Sequence, residues 1–330
     1  MHIFAFDPED YRDQYQQQGW AHIRGGIDPE FLAELQRVGR DLAHVEKLDR
    51  FAIKGKKEQA LYEFPVSTRY PDEIFDAVAS VCGLERDSMT LSERHIQLYE
   101  PDASPHPQAH KDRFPSQVSV GLSIAIPEQS RLVLYPYDCR ELNPFNAAAA
   151  LIRHLQPNEL PEVVLRDARE VEIADRPGDV VMFGGSTTWH LRRHAAGAIN
   201  LYVKLNDFDC DPLGEDPRTA VRREHTLETL AAANGGPLDG VTVKVSRRLD
   251  SIARRLTLGD LQEVLEASLY GSEPFGITAA QLRLLRGARE AKPLDRLVEE
   301  MGTNGRSRED AFADATRLLE LGALDVLAEA

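Results

Sequence analysis

The chain has 330 residues, of which 42% are hydrophobic and 28% are charged, and its formal net charge is −15. This length and composition are typical of a globular protein with one large domain, or one domain and an appendage. So acidic a chain repels nucleic-acid phosphate unless it carries a local basic patch. The first 245 residues contain none, so nucleic acid is not an expected partner.

The cysteines and the apolar runs indicate the compartment. Cys82, Cys139 and Cys210 are far apart and odd in number, which argues against a disulfide framework and against a zinc site with C-x2-C spacing. No apolar run approaches the roughly 20 residues needed to cross a bilayer. The N-terminus lacks the basic and apolar regions of a secretory signal. We therefore expect a cytoplasmic protein without a membrane partner.

The first 90 residues predict helices around one short strand. Helix signals cover residues 8–20 and 28–42, with a strand at 20–24 between them, and an amphipathic helix follows at 71–81. The charged stretch 46–62 predicts a solvated loop.

Strands then dominate as far as residue 205. In Arg94–Tyr99 the alternation places His95, Gln97 and Tyr99 on one face. In residues 118–126 an apolar row should pack against the helices, while a row of small polar residues can line a cavity. The helical pattern of 143–155 interrupts the strands. Further strands are predicted at 132–135, 171–173, 180–183 and 198–205.

Two histidines and an aspartate form the most informative pattern. His110 and Asp112 are two residues apart, so in extended backbone their side chains project to one side. Residues 176–183 read as a Pro-Gly-Asp turn and an apolar strand, and His190 follows shortly after. Two imidazoles and one carboxylate are the ligands of the facial triad in mononuclear non-haem Fe(II) oxygenases, which leaves three coordination positions open.

With these motifs, roughly residues 10 to 208 resemble the iron(II)/2-oxoglutarate-dependent dioxygenases, and among them the phytanoyl-CoA dioxygenase-like group. The resemblance implies an α+β fold, with a double-stranded β-helix (a jelly-roll, cupin-like core) behind N-terminal helices. It implies Fe(II) held by His110, Asp112 and His190, with 2-oxoglutarate and O2 as co-substrates. The implied reaction hydroxylates an unactivated C–H bond of a small molecule, amino acid or peptide and releases succinate and CO2. The presence of Asp112 argues against halogenation.

The chain departs from this family where 2-oxoglutarate should be anchored. Most members carry an Arg on the last core strand, and here that place is held by Asn200. Lys204 shares the predicted strand face of Asn200 and could replace the missing charge. Arg192 and Arg193, in the polar loop predicted after His190, and Arg131 are alternatives. Gln97 matches a position that often faces the co-substrate in the family. No catalytic residue is predicted beyond the three metal ligands.

Residues 1–240 are predicted to form the dioxygenase-like domain and residues 246–330 a helical appendage with a winged-helix-like end. The appendage has twelve basic and fifteen acidic residues, which favours docking or homodimerisation over DNA binding. Its helices are predicted from apolar spacing. They cover residues 258–265, 279–285, 294–298 and 310–321.

Two other functions stay open at this point. One is a non-catalytic, cupin-like binding protein with a helical interaction module, which the missing Arg favours. The other is a cupin-type metal enzyme that does not use 2-oxoglutarate.

Overall fold

The computed structural model describes residues 1–41, 57–236, 238, 240–302 and 307–328. It forms two compact units, Met1–Asp209 and Cys210–Ala330. The division therefore comes about 30 residues before the predicted domain limit at 240, and residues 210–240 belong to the second unit. Most of the predicted charged loop, residues 46–56, lies outside the described residues.

Three helices in the first unit agree with the sequence prediction. They are α1 (Glu9–Gln18), α2 (Pro29–Arg40) and α3 (Tyr70–Cys82). The Asp28 carboxylate accepts from the backbone N–H groups of residues 30 and 31 and so caps α2. Gly19 ends α1 in a left-handed conformation, with φ of 75°.

The larger sheet of the first unit has six antiparallel strands in the order β1-β7-β4-β9-β3-β2. In chain order these strands are β1 (Trp20–Ile23), β2 (Lys57–Leu61), β3 (Thr90–Tyr99), β4 (Val118–Ala125), β7 (Val180–Phe183) and β9 (Ile199–Asn206).

The smaller sheet has the order β6-β5-β8, from β5 (Arg131–Tyr135), β6 (Val171–Ile173) and β8 (Trp189–Arg193). The segment around His110 joins it through a bridge to His190 in β8. From β3 onward the chain passes between the two sheets in the order of a jelly roll, the core architecture that was predicted. Helices α4 (Ala148–His154) and α5 (Pro161–Val164) lie between β5 and β6, so the helix predicted for 143–155 begins later than expected.

Residue alternation in β4 decides which side chains meet the helices and which face the second sheet. Val120, Leu122 and their apolar neighbours in β4 join a buried cluster with Phe31 of α2 and Ile74 of α3. A second cluster fills the space between the two sheets, with Leu134 from the smaller one among its members. The small polar row of β4 therefore faces the interior of the jelly roll.

The second unit combines helices and strands, so the prediction of a mainly helical appendage was only partly right. Residues 258–265 are not helical, because Leu258 and Leu261 lie in the loop between two antiparallel strands. Apolar residues in that loop and in the following strand are spaced as they would be in a helix. Among the described helices, none combines the length and the apolar character that crossing a bilayer requires. The winged-helix-like character stays a prediction.

The helices of the second unit are α6 (Pro217–Ala233), α7 (Ala279–Gly287), α8 (Leu294–Gly302) and α9 (Arg308–Glu320). Its strands are β10 (Thr242–Val245), β11 (Leu249–Leu256), β12 (Glu263–Leu269), β13 (Phe275–Ile277), β14 (Lys292–Pro293) and β15 (Leu324–Leu327).

Candidate metal centre

Backbone pairing brings His110, Asp112 and His190 together. The N–H of each histidine donates to the carbonyl of the other at 2.9 Å, and the Asp112 N–H donates to the Gly185 carbonyl at 2.9 Å. Each of the three side chains offers one ligand atom, and these atoms all lie within 4.8 Å of one another. The structure thus assembles the predicted ligand set from two segments almost 80 residues apart.

Gly185 allows the close backbone approach at this site. A Cβ at this position would lie 2.2 Å from the Ser119 Oγ and 2.8 Å from the Asp112 Oδ2. Neither distance leaves room for a methyl group, so a side chain at residue 185 would displace the Asp112 carboxylate.

The donor set fits a divalent transition metal. The His190 Nδ1 lies 2.9 Å from the Thr188 carbonyl, so the proton belongs on Nδ1 and the Nε2 lone pair is left for a metal. The Asp112 Oδ1 lies 3.7 Å from this Nε2, so these two atoms would hold a divalent ion together. Asp112 is also held from its other side, because the Ser119 hydroxyl donates to Oδ2 at 2.6 Å.

Asp112 is ionised despite its burial. Burial acts to raise the pKa of its carboxyl, but the Lys204 ammonium and the two imidazoles outweigh this effect and hold the pKa below its usual range. A carboxylate that stays ionised is available to a metal cation throughout the physiological pH range.

A buried ion-pair chain adjoins the triad. The Lys204 Nζ lies 2.9 Å from the Asp112 Oδ1 and 2.9 Å from the Glu93 Oε1. The Arg113 guanidinium donates to the other Glu93 oxygen at 2.9 Å. Two cations thus face two carboxylates, and all four side chains are buried.

A small cavity opens beside the triad. Arg192 reaches it from β8 and forms a two-pronged ion pair with Asp175 at 2.9 and 2.8 Å. Only 3% of Arg192 is exposed, yet its Nε–H has no partner among the residues that the structure describes. Such a donor is costly to bury unless a ligand satisfies it. The cavity is lined by Gln97, Tyr99, His110, Asp112, Leu132, His190, Leu191, Arg192, Tyr202 and Lys204.

The residues predicted to bind 2-oxoglutarate fall into three groups. Gln97 and Lys204 line the cavity, but Lys204 is bonded to Asp112 and Glu93 and is not a free cation. Asn200 is buried beside Gln97 in the β3–β9 register and is not among the lining residues.

The two predicted arginines lie away from the cavity. Arg193 pairs with Glu170 at 2.7 Å and with Glu172 at 2.6 Å. Arg131 donates to the backbone carbonyls of residues 128 and 130. Arg131 in β5 and Arg193 in β8 lie opposite each other, on the face of the smaller sheet that is turned away from Arg192, so neither lines the cavity.

The sequence prediction named Arg192 only as an alternative anchor, and it did not identify Asp175 or Glu93. Strand alternation could have identified Arg192, since it lies two residues after His190 and must share the face of His190 if the strand continues. The segment after His190 was interpreted as a loop, which concealed this. No local signal pairs Glu93 with Lys204, because their contact depends on the register between β3 and β9.

Comparison with known proteins gives no family assignment from sequence. No family model matches the chain. No curated protein matches it either. Similar solved structures include the epimerase SnoN in complex with Fe3+, alpha ketoglutarate and nogalamycin RO, with 17% identity over 61% of this chain and 84% of that one and a TM-score of 0.45.

Two further solved structures are also similar. A Pseudomonas putida prolyl-4-hydroxylase has 18% identity over 61% of this chain and 98% of its own, with a TM-score of 0.41. HygX from Streptomyces hygroscopicus, with nickel and 2-oxoglutarate bound, has 11% identity over 61% and 87%, also with a TM-score of 0.41. At these identities and TM-scores the similarity assigns no function to this chain.

Proposed function

We propose that the protein is an Fe(II)- and 2-oxoglutarate-dependent oxygenase. The observation that carries the proposal is the set of His110, Asp112 and His190, gathered inside a jelly roll with their ligand atoms within 4.8 Å of one another. Neutral imidazoles and one carboxylate suit Fe(II) and leave positions for two further ligands. Iron bound here would supply the activation of O2.

The protein's own residues would position the reactants and exclude water. Asp112 and His190 are oriented by Ser119 and the Thr188 carbonyl, so the ligand set is preorganised. Gln97 and the two tyrosines line the cavity beside it. These groups can donate hydrogen bonds to a 2-oxoacid without adding charge.

We assign the distal carboxylate of 2-oxoglutarate to Arg192. It is a cation of the cavity wall with an unpartnered buried N–H, and a carboxylate oxygen would satisfy that donor. Arg193 and Arg131 make their contacts away from the cavity, and Lys204 already forms ion pairs with two carboxylates. Asp175 would keep the guanidinium in place as the ligand arrives.

The proposed outcome is hydroxylation of a C–H bond in a small molecule, an amino acid or a peptide. The phytanoyl-CoA dioxygenase-like group remains the proposed subgroup, on the motifs around His110 and His190. The proposed location is the cytoplasm, on the cysteine pattern.

One experiment separates this function from its two alternatives. Anaerobic addition of Fe(II) and 2-oxoglutarate to the apoprotein should produce a weak visible charge-transfer band, because the keto acid chelates the iron. A metal enzyme that does not use 2-oxoglutarate would bind Fe(II) without that band. A non-catalytic binding protein would yield no succinate when O2 is admitted with any candidate substrate.

We also propose that the second unit pairs with a second copy of this chain. In the part of the unit that the structure describes, β11 is an edge strand, and Ile252 and Leu256 on it are exposed. In an antiparallel pairing of two β11 strands centred on Ile252, Asp250 of each copy would face Arg254 of the other, which favours self-association.

Light scattering should show a dimer in the parent and a monomer in Ile252→Lys. A parent that is monomeric at micromolar concentration would refute the pairing.

A further inference from the structure

Lys204 offsets negative charge at the candidate metal centre. Its ammonium bonds to Asp112 Oδ1, the carboxylate oxygen that lies 3.7 Å from the His190 Nε2. The oxygen best placed to bind a metal therefore already faces a cation. The Ser119 hydroxyl donates to the other oxygen, Oδ2. Rotation of the carboxylate would therefore not turn an oxygen without a hydrogen-bond donor toward the metal.

The surrounding ion pairs leave no spare negative charge for a metal. Lys204 and Arg113 together offset Asp112 and Glu93, and both contacts of the ammonium are 2.9 Å long. A divalent cation that reaches Asp112 must share Oδ1 with the ammonium or displace it. Sharing places like charges close together inside a buried site, and displacement breaks the buried ion pair between Lys204 and Asp112. Both possibilities disfavour the bare cation.

A dianionic chelator changes this balance. A 2-oxoacid with two carboxylates brings two negative charges, which offset the charge that a divalent metal adds to an already neutral cluster. Gln97 and Arg192 line the cavity beside the triad, and their N–H groups can donate hydrogen bonds to the carboxylates of such a ligand. The ligand and the metal should consequently bind more tightly together than either binds alone.

We propose that Lys204 weakens the affinity of the triad for a bare divalent metal and so makes metal retention depend on a bound dianionic 2-oxoacid. The inference rests on the proposed function and concerns how that same site is regulated. Lys204 acts through Asp112 and is a positioning residue. By reciprocity, the metal must increase the affinity for the 2-oxoacid by the same factor.

The test is Mn2+ binding to the full-length apoprotein, followed by the electron paramagnetic resonance of free Mn2+, with and without saturating 2-oxoglutarate. In the parent, 2-oxoglutarate should tighten Mn2+ binding at least tenfold. In Lys204→Met, bare Mn2+ should bind at least tenfold more tightly than in the parent, and the effect of 2-oxoglutarate should shrink. Lys204→Arg, which keeps the charge, should resemble the parent.

Ser119→Ala is the matched control, because it removes the other bond to Asp112 without changing charge. Its bare Mn2+ affinity should stay equal to the parent's or fall. Thermal unfolding establishes that each variant is folded, and if Lys204→Met is not, Lys204→Gln replaces it with the same expectation.

The outcomes separate this inference from the proposed function. Bare Mn2+ binding in Lys204→Met that equals or falls below the parent's overturns the role of Lys204 while leaving the triad intact as a metal site. Absence of Mn2+ binding in every variant, with and without 2-oxoglutarate, overturns both.

Discussion

His190 and Arg192 lie two residues apart on β8, and both side chains enter the same cavity. Arg193 follows directly and points to the other side of the sheet, where it pairs with Glu170 and Glu172. Strand alternation thus places a metal ligand and a buried cation together and separates two adjacent arginines that look interchangeable in sequence.

The assignment of the metal ligands predicts the loss of iron in single substitutions. His110→Ala and His190→Ala should each reduce bound Fe(II) from about one ion per chain to less than about a tenth, because two remaining ligands do not form a facial set. Iron analysis after anaerobic dialysis measures this, with circular dichroism as the check on folding. Stoichiometric iron in His190→Ala would exclude the site.

The anchor role of Arg192 predicts a change in 2-oxoglutarate affinity. Arg192→Lys keeps a cation beside Asp175 but removes the planar donor fork, so the 2-oxoglutarate concentration for half-saturation should rise about tenfold or more. Arg193→Lys is the matched control at the next residue and should leave that concentration unchanged. Titration of the anaerobic Fe(II) charge-transfer band gives both values, and an equal shift in the two variants would contradict the assignment.

The packing at Gly185 predicts a local but severe effect of one methyl group. In Gly185→Ala the new Cβ would lie 2.2 Å from the Ser119 Oγ and 2.8 Å from the carbonyl oxygen of residue 116, so the backbone must shift. We expect a loss of about 1–3 kcal/mol in the free energy of unfolding together with weaker metal binding.

Urea denaturation and metal titration measure the two effects at Gly185. Gly276→Ala is a suitable control, because a Cβ there meets no atom within 4 Å and the backbone is not in a left-handed conformation. Normal metal affinity in Gly185→Ala would show that Asp112 tolerates the displacement.

The buried pair of Asp175 and Arg192 predicts a pH dependence of stability. Burial raises the pKa of the Asp175 carboxyl, but the Arg192 guanidinium outweighs burial, so the pKa lies below its usual value. In the unfolded chain this carboxyl titrates near about 3.9. Between the folded and unfolded pKa values the unfolded chain binds more protons, so the stabilisation is complete above about pH 4 and is lost as the pH falls below it.

Asp175→Asn should therefore lower the free energy of unfolding by about 3–5 kcal/mol at pH 7, because it leaves the Arg192 charge buried without a counter-ion. The same variant should lose less stability than the parent between pH 5 and about pH 3. Glu172→Gln, which removes a surface carboxylate beside Arg193, should follow the parent's pH dependence. Denaturant titrations across this pH range test the comparison, and parallel curves for parent and Asp175→Asn would contradict the prediction.

The sequence by itself determined most strands of the jelly roll and the residues of the triad, because both depend on local patterns. The residues after His190 in β8 are the exception, since they were predicted as a loop. Alternation in β4 reports which side chains face the helices, and the i, i+2 spacing of His110 and Asp112 reports a shared side. His190 was found by its position after an apolar strand, which is also a local feature.

Only the tertiary structure decided the charges around the metal centre. Lys204 was predicted to bind a co-substrate, and in the structure it bridges Asp112 and Glu93. These contacts depend on the register of β9 against β3 and β4, strands that lie far apart in the chain, and no residue pattern specifies that register. In the second unit, likewise, Leu258 and Leu261 have helical spacing, but cross-strand hydrogen bonding between β11 and β12 outweighs so short a local signal.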